Sequence, residues 1–171
     1  MYKLWEDKTM DENNTTQQQY QQPQYQQPQQ QYQPQNTRPV AQLKTDRSLA
    51  KFILLSLITF GIYGIVVIYG LSEDINTVCG RYDGKKNMNY LLVLFILGPI
   101  TCGIFTLIWF HTLSERAGAE LARRGINYSF GASDFWLWNV LGALILVGPF
   151  VYSNKLIKTV NLLNADFNVK G

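Results

Sequence analysis

The chain has 171 residues, a formal net charge of +3 at pH 7 and a mean hydropathy near zero, which is an average over two unlike parts. Residues 13–37 contain 13 glutamines and neither a charged nor an aliphatic side chain, whereas the chain from Leu49 onward is dominated by Leu, Ile, Val, Phe, Tyr and Gly. The basic residues of this second part stand in twos and threes beside the apolar stretches and not along one face, which argues against a nucleic-acid-binding protein.

The N-terminal part, residues 1–46, is predicted to be a disordered tail. It contains the imperfect repeat QQQYQQPQYQQPQQQYQPQ at residues 17–35 and too little apolar surface to offset the entropy of ordering the chain. A solvated linker and a self-associating, recruiting segment are both compatible with this composition. The start of the protein could be Met1 or Met10. Because no apolar stretch of signal-peptide length precedes the tail, we expect it on the cytoplasmic side.

The second part, residues 47–171, is predicted to be a membrane domain. It contains three uncharged apolar segments, at residues 52–71, 89–110 and 135–153. Each is close to the length of about 20 residues that a helix needs to cross a hydrocarbon core about 30 Å thick. None of the segments has the polar face that is typical of a helix in a soluble protein. The sequence therefore predicts an all-α membrane protein with three hydrophobic helical segments, with breaks at glycine as an open feature.

More polar sequence with helical periodicity follows the apolar segments. After the third segment, apolar residues recur at spacings of three and four: Leu156, Val160, Leu163 and Phe167. This pattern predicts an amphipathic helix over residues 154–168, either on the membrane surface or against neighbouring segments. The corresponding extensions after the first two segments are expected to end at Gly80 and Gly125, because glycine commonly terminates helices.

The first two segments share a pattern at an offset of 42 residues, the difference between Thr59 and Thr101. Thr59-Phe60-Gly61-Ile62-Tyr63 corresponds to Thr101-Cys102-Gly103-Ile104-Phe105, and a fainter third copy contains Gly148-Pro149. Glycine lets a helix bend or pack closely, and a nearby threonine can bond a carbonyl that a bend exposes. The candidate structural-motif residues are Thr59, Gly61, Ile62, Tyr63, Thr101, Gly103, Gly148 and Pro149.

Two topologies are open for the three segments. Three plain spans would place seven near-membrane basic residues on one side and six on the other, so the positive-inside rule gives no orientation. Alternatively, the segments turn back at Gly61, Gly103 and Gly148, and every connection stays on one side. Three spans is our main interpretation, and re-entrant hairpins are the alternative.

The stretch LLSLITFGIYGIVVIYGLSEDIN, at residues 54–76, closely resembles the opening of a family of small bacterial membrane proteins, domain of unknown function 4234. The hallmark is a Thr-x-Gly-Ile-Tyr core, followed by aromatic residues and an acidic exit, and the resemblance covers residues 47–167. Val66 and Val67 stand where aromatic residues would be expected. The resemblance implies a multi-pass protein of the bacterial cytoplasmic membrane, and it implies no activity.

No catalytic, cofactor-binding or metal-ligating residue is predicted, and we do not expect an enzyme. The one histidine, His111, lies at a segment end, and no acidic side chain falls inside an apolar segment. Ion pathways usually contain an ionisable residue in mid-membrane. We therefore expect a non-catalytic membrane interaction or scaffold module with a recruiting tail; the alternative is a small oligomeric transporter or channel subunit. The expected partners are the lipid bilayer and either a second copy of the chain or another membrane protein, with no nucleic acid, cofactor or known small molecule.

Overall fold

The computed structural model describes residues 42–171, which form α-helices joined by turns and by short π- and 3₁₀-helical stretches. The α-helices are α1 (Leu49–Ile58), α2 (Ile62–Asp83), α3 (Tyr90–Leu92), α4 (Gly98–Ile100), α5 (Ile104–Arg123), α6 (Ala132–Asp134) and α7 (Gly148–Lys170). Two π-helical stretches, Val93–Leu97 and Phe135–Val140, and one 3₁₀-helix, Leu141–Ile145, complete the order. Residues 42–171 contain no β-strand, so the all-α prediction is confirmed. The tail predicted over residues 1–46 lies outside the described residues, apart from 42–46.

Each of the three apolar segments is divided into two helical arms by a turn, so the breaks at glycine that the sequence left open are present at or beside Gly61, Gly103 and Gly148. The turns lie at residues 59–61, 101–103 and 146–147. In each turn one non-glycine residue has a positive φ that an α-helix cannot contain: Phe60 (52°), Cys102 (50°) and Leu146 (60°). In the part of the chain that the structure describes, no helix has both the length and the apolarity needed to cross a membrane.

The two arms of each segment pack against each other as a helical hairpin. Hairpin 1 joins α1 to the first half of α2, hairpin 2 joins residues 90–100 to the first half of α5, and hairpin 3 joins residues 132–145 to the start of α7. Glycines bring the arms close together. A Cβ placed on Gly64 would lie 3.0 Å from Ser56 Oγ of the opposite arm of hairpin 1.

The three long helices, α2, α5 and α7, run parallel to one another. In every pair of helices two contacts show this direction, because the residue numbers rise together on both partners. The contacts are Asn76–Arg116 and Tyr82–Arg123 for α2 with α5, Ser114–Tyr152 and Arg124–Asp166 for α5 with α7, and Asp74–Asn164 and Arg81–Phe167 for α2 with α7. Each long helix begins at a hairpin turn, so all three turns lie at the same end of the bundle.

The core lies between the C-terminal parts of the three long helices. Its fully buried side chains recur at helical spacing: Leu71, Ile75, Val78, Leu113, Ala117, Leu121, Leu156, Val160, Leu163 and Phe167. Burying one Leu, Ile, Val or Phe side chain contributes roughly 1.5–3 kcal/mol. The amphipathic helix predicted over 154–168 is the second part of α7, and its apolar face packs on α2 and α5.

Two glycines end the long helices, although not both at the predicted positions. Helix α2 continues through Gly80 to Asp83 and ends at Gly84, whose φ is 64°. The expected stop at Gly80 is therefore wrong, because the left-handed conformation that ends a helix is adopted four residues later. Helix α5 ends at Arg123, and Gly125 follows it with a φ of 67°.

Residues 42–48, called the strap here, have no regular secondary structure and run against α7. Leu43 exchanges two hydrogen bonds of 2.9 Å with the side chain of Asn168. The side-chain amides of Asn161 and Asn164 donate to the strap carbonyls of Arg47 and Lys44, both at 2.7 Å. The strap therefore belongs to the helical body, where it fixes the N-terminus of α1 beside α2 and α7.

Candidate functional site

The turn of hairpin 1 satisfies its own backbone donors. The N–H groups of Thr59, Phe60, Gly61 and Ile62 donate to carbonyl oxygens of residues 55–59, over distances of 2.7–3.4 Å. The Thr59 hydroxyl donates to Leu55 O at 2.7 Å and accepts from the N–H of Tyr63 at 2.9 Å. Gly61 has a φ of 90°, in the left-handed region that favours glycine. Thr59 thereby caps the incoming helix and also the outgoing one.

Hairpin 2 contains the same turn, hydrogen bond for hydrogen bond. The hydroxyl of Thr101 donates to Leu97 O at 2.6 Å and accepts from the N–H of Phe105 at 3.0 Å. The N–H groups of residues 101–104 find acceptors between residues 97 and 101 at 2.7–3.3 Å, and Gly103 has a φ of 86°. The two matching pentapeptides thus form matching turns.

Hairpin 3 closes differently, through two glycines whose backbones touch. A Cβ on Gly148 would lie 2.2 Å from Trp138 O and 2.3 Å from Gly142 Cα. The turn itself lies at Leu146 and Val147, and Gly148-Pro149 opens α7. Pro149 lacks an N–H, which suits the first turn of a helix, where that donor has no intrahelical partner. Gly148 is therefore required for close packing and does not form the bend.

A methyl group on Gly148 is expected to destabilise the fold. The clash is with backbone atoms of the opposite arm, so the Gly148→Ala variant should lose roughly 3 kcal/mol of unfolding free energy, at the upper end for overpacked sites. Gly131→Ala is the matched control, because nothing lies within 4 Å of its Cβ position and its φ is 177°. Chemical unfolding followed by circular dichroism measures both. Equal stability of the two variants would contradict the close backbone contact between Gly148 and Gly142.

The hairpin turns and the residues beside them expose apolar side chains. Phe60 is 98% exposed, and Leu144, beside the third turn, is 85% exposed. The other large apolar side chains in or next to the turns that are more than half exposed are Leu57, Ile58, Ile62, Ile100, Ile104, Ile145, Leu146 and Val147. Together with Phe60, Cys102 and Leu144 they form the apolar tips, which share one end of the molecule because α2, α5 and α7 are parallel. Monomeric soluble proteins rarely expose such a concentration of apolar surface.

The opposite end of the bundle carries a polar network centred on Arg116 of α5. Its guanidinium donates to both carboxylate oxygens of Asp83, at 2.9 and 3.1 Å, and to Lys85 O at 2.8 Å. It also donates to Asn76 Oδ1 at 3.1 Å and to Asn87 Oδ1 at 2.7 Å. Partial burial acts to raise the pKa of Asp83, but the hydrogen bonds from Arg116 and the Lys85 backbone outweigh it and hold that pKa below its usual value. Arg116 thus ties the connection after α2 to α5.

A second polar cluster joins α5 to α7. The buried carboxylate of Glu120 accepts from Arg123 at 2.7 Å and from Arg124 at 2.6 Å, and Arg124 also donates to Asp166 at 2.9 Å. Burial acts to raise the pKa of Asp166, but Lys170 and Arg124 outweigh it and keep this pKa low. A buried carboxylate with two guanidinium partners is a structural ion-pair cluster, and it closes the bundle at the end away from the tips.

In hairpins 1 and 2 the tips are separated from the first acidic residues by helical arms of equal length, and in hairpin 3 the first charge comes sooner. In hairpins 1 and 2 the first acidic residues after the turns are Glu73 and Glu115. The helix from Ile62 to Glu73, like that from Ile104 to Glu115, rises about 17 Å. In hairpin 3 the first charge is Lys155, which pairs with Asp134 of the other arm. Each hairpin is therefore apolar from its turn up to the charged residues of the bundle.

The predicted motif residues all lie in or beside the turns. Thr59, Gly61, Thr101 and Gly103 form the turns of hairpins 1 and 2, and the adjoining or third-hairpin positions are Ile62, Tyr63, Gly148 and Pro149. The structure brings them to one end of the molecule.

Sequence reasoning missed the residues that make the tips unusual, namely Phe60, Cys102 and Leu146. An apolar residue directly before the glycine of Thr-x-Gly was the available signal. Sequence reasoning also missed Arg116, whose partners lie 29 to 40 residues away along the chain.

The fold and these turns define a class: an all-helical protein built from three helical hairpins with apolar tips at one end. Residues 47–119 match the model of the family described as Domain of unknown function (DUF4234), so this stretch of the chain is similar to that family. The matched stretch covers hairpin 1, hairpin 2 and most of α5. No curated protein and no solved structure matches the chain.

Proposed function

We propose that the protein is a non-catalytic membrane module that inserts its three hairpins into one leaflet and keeps its polar end on the side from which they enter. The observation that carries the proposal is the set of exposed apolar residues at the three turns. The proposal therefore adopts the re-entrant hairpins in place of the interpretation as three spans. Insertion of the hairpins would also locate the protein at a cell membrane.

The identity of the turn residues supports insertion. Phe60, Cys102 and Leu146 hold positive φ angles, a conformation in which Asn, Asp and Gly are the favoured residues. A turn that faced water would gain both conformational ease and solvation from those polar residues. At all three positions an apolar residue strains the backbone, and its side chain is not buried by the rest of the chain. A hydrocarbon environment would bury these side chains.

The backbone of the turns is also suited to lipid. In a hydrocarbon core every N–H and C=O group needs a protein partner, because no water is present. The five consecutive N–H groups of residues 59–63 all have acceptors within hairpin 1, and those of residues 101–105 do so within hairpin 2. The two threonine hydroxyls supply the acceptor that each outgoing helix would otherwise lack.

The length of the arms fits one leaflet. Half of a hydrocarbon core is about 15 Å thick, and the arms of hairpins 1 and 2 rise about 17 Å between the turn and the first acidic residue. The tips would therefore reach the middle of the bilayer while Glu73 and Glu115 remain in the headgroup region. This placement leaves every charged connection on one side, which accounts for the absence of a basic bias between alternate connections.

Cysteine accessibility tests this topology. Single cysteines at the exposed positions Thr45, Lys86, Asn127 and Ala165, in a Cys102→Ser background, should all react with an impermeant maleimide from the same side of sealed vesicles. Three spans would place positions 45 and 127 on one side and 86 and 165 on the other. Burial raises the pKa of Cys79 to about 12, so this thiol contributes little labelling.

The natural tip cysteine provides an internal control. In the otherwise unchanged protein, Cys102 should stay unlabelled from either side of intact vesicles and react after detergent solubilisation, because lipid covers it. Alternating sidedness of the four engineered positions, or free labelling of Cys102 in intact vesicles, would refute the one-leaflet arrangement.

The scaffold part of the proposal concerns what the polar end binds. A module fixed at the surface by three hairpins presents its strap and connections to one compartment, where a recruiting tail and a protein partner could meet. Crosslinking in native membranes should trap one specific partner or a homo-oligomer. A strictly monomeric and partnerless protein, or solute flux through proteoliposomes, would speak against a scaffold.

A further inference from the structure

We infer that the cavity between the strap and hairpin 1 binds the headgroup of an anionic phospholipid; this inference rests on the proposed insertion. The cavity has a volume of about 370 Å³. Its walls are the strap, the first turn of α1 and one face of α2. No function so far described uses it.

One wall of the cavity is cationic. Lys44, Arg47 and Lys51 line it together with Ser48, and Asp46 is the one acidic residue of the lining. Arg47 is already neutralised by Asp74, 2.6 Å away. Within residues 42–171, neither Lys44 nor Lys51 has a carboxylate at ion-pair distance, whereas seven other Lys, Arg and His side chains, Arg47 included, do. The lining therefore contains two lysines without an ion-pair partner among residues 42–171, against the single carboxylate of Asp46.

The facing wall is apolar and aromatic. It consists of Phe52 of α1 and a stripe of α2 at helical spacing: Tyr63, Val66, Val67 and Gly70, with Tyr69 beside it. The stripe continues down hairpin 1 toward the apolar tip. A lipid with its phosphate between the two lysines could therefore lay an acyl chain along the stripe toward Tyr63, and Tyr69 lies nearer the headgroup level, where aromatic rings are common.

The position of the cavity is fixed by the fold. Asn161 and Asn164 hold the strap backbone at 2.7 Å, and Ser48 accepts a hydrogen bond from the N–H of Lys51 at the start of α1. Gly70 keeps the space open, because its missing side chain would point at Arg47, with Cβ at 3.4 Å from Nη2. The lysines are thus presented by a rigid frame at the charged level of the bundle, where phospholipid phosphates would lie.

Native mass spectrometry of the full chain in neutral detergent micelles tests the site, because a micelle has no charged surface to attract lysines in general. Phosphatidylglycerol should bind more tightly than phosphatidylcholine, with one molecule per chain. Lys44→Gln/Lys51→Gln should weaken phosphatidylglycerol binding about thirty-fold, on the basis of two basic residues near a lipid phosphate. Lys85→Gln/Lys86→Gln, which removes two exposed charges elsewhere, should leave the binding unchanged.

The shape of the cavity is tested with all charges present. Gly70→Leu fills the space and should abolish the preference for phosphatidylglycerol, whereas Gly70→Ala makes only an ordinary contact and should retain it. Circular dichroism checks that both variants are folded. Equal binding of the two lipids by the unchanged protein, or an equal loss in Lys85→Gln/Lys86→Gln, would overturn the site.

Inorganic phosphate distinguishes a lipid headgroup from a free phosphate. An excess of it should leave phosphatidylglycerol bound, because the acyl chain contributes to affinity; displacement would overturn the lipid assignment in favour of a soluble anion. Flotation of the unchanged protein with pure phosphatidylcholine vesicles tests the hairpins without involving an anionic lipid. Failure of the proposed insertion and failure of the lipid site therefore give different results.

Discussion

Replacing Phe60, Cys102 and Leu146 together by aspartate is expected to release the protein from phosphatidylcholine vesicles. An aspartate near the bilayer centre costs about 2.5–3.5 kcal/mol, so three of them oppose insertion by roughly 8–10 kcal/mol. The fold should tolerate the change, because the three positions have positive φ angles, which aspartate adopts more readily than phenylalanine or leucine. Vesicle flotation measures the loss, and circular dichroism should show unchanged helix content.

A matched control places three aspartates at exposed positions away from the tips. Ser129, Ala165 and Val169 are exposed, and Val169 is 75% exposed although it is apolar. The Ser129→Asp/Ala165→Asp/Val169→Asp variant has the same change in net charge and should still float with the vesicles. If the tip variant also floated like the unchanged protein, the tips would not be the membrane-binding surface.

A large loss of stability is expected for the Arg116→Met variant. The substitution leaves the carboxylate of Asp83 and the amide oxygens of Asn76 and Asn87 without their guanidinium donor. Removing one partner of a buried ion pair lowers the free energy of unfolding by about 3–5 kcal/mol. Because Asp83 is partly exposed, we expect a loss of about 3 kcal/mol. Chemical unfolding in micelles measures it. Lys86→Met, an exposed cation of the same connection, should change stability little.

The pH dependence of stability separates this ion pair from general packing. The pKa of Asp83 is lower in the folded protein than in the unfolded chain, so its contribution is present above about pH 4 and is lost as the pH falls through the folded-state pKa. The unchanged protein should therefore lose stability on acidification. Arg116→Met and Asp83→Asn should each show a shallower loss, with Asp166 responsible for the remaining slope. Parallel pH curves for all three proteins would contradict the role of Asp83.

The sequence identified the residues of the turns better than the shape they produce. The Thr-x-Gly pattern marked Gly61 and Gly103, because the need for a positive φ and for a hydroxyl acceptor is local and leaves a local signature. The interpretation as three spans followed from counting uncharged residues, and a run of about 20 apolar residues looks the same whether it continues or folds back. Turn direction depends on two or three φ angles, which composition does not record.

The residues of the polar end could not be predicted in the same way. Arg116 looked like one flanking charge among many, since its partners come from the connection after α2 and become neighbours only in the folded bundle. Tyr90, Trp109 and Tyr152 sit at segment ends, where interfacial aromatic residues are expected, but they are buried between the parallel helices and pack against Phe110 and Phe135. Gly148 was a candidate for the bend of the third segment, whereas in the structure it allows close contact with Gly142 and Trp138 of the opposite arm. In each case the deciding information is long-range packing.

The parallel direction of α2, α5 and α7 bears on how such a chain could enter a bilayer during its synthesis. In the proposed arrangement each hairpin returns to its starting side before the next one begins, so none of the connections that carry Lys85, Lys86, Arg123 and Arg124 would need to be translocated. The three hairpins could then insert one after another as they leave the ribosome. The ion pairs of Arg116 and Glu120, at the polar end outside the bilayer, would form afterwards and hold the hairpins together.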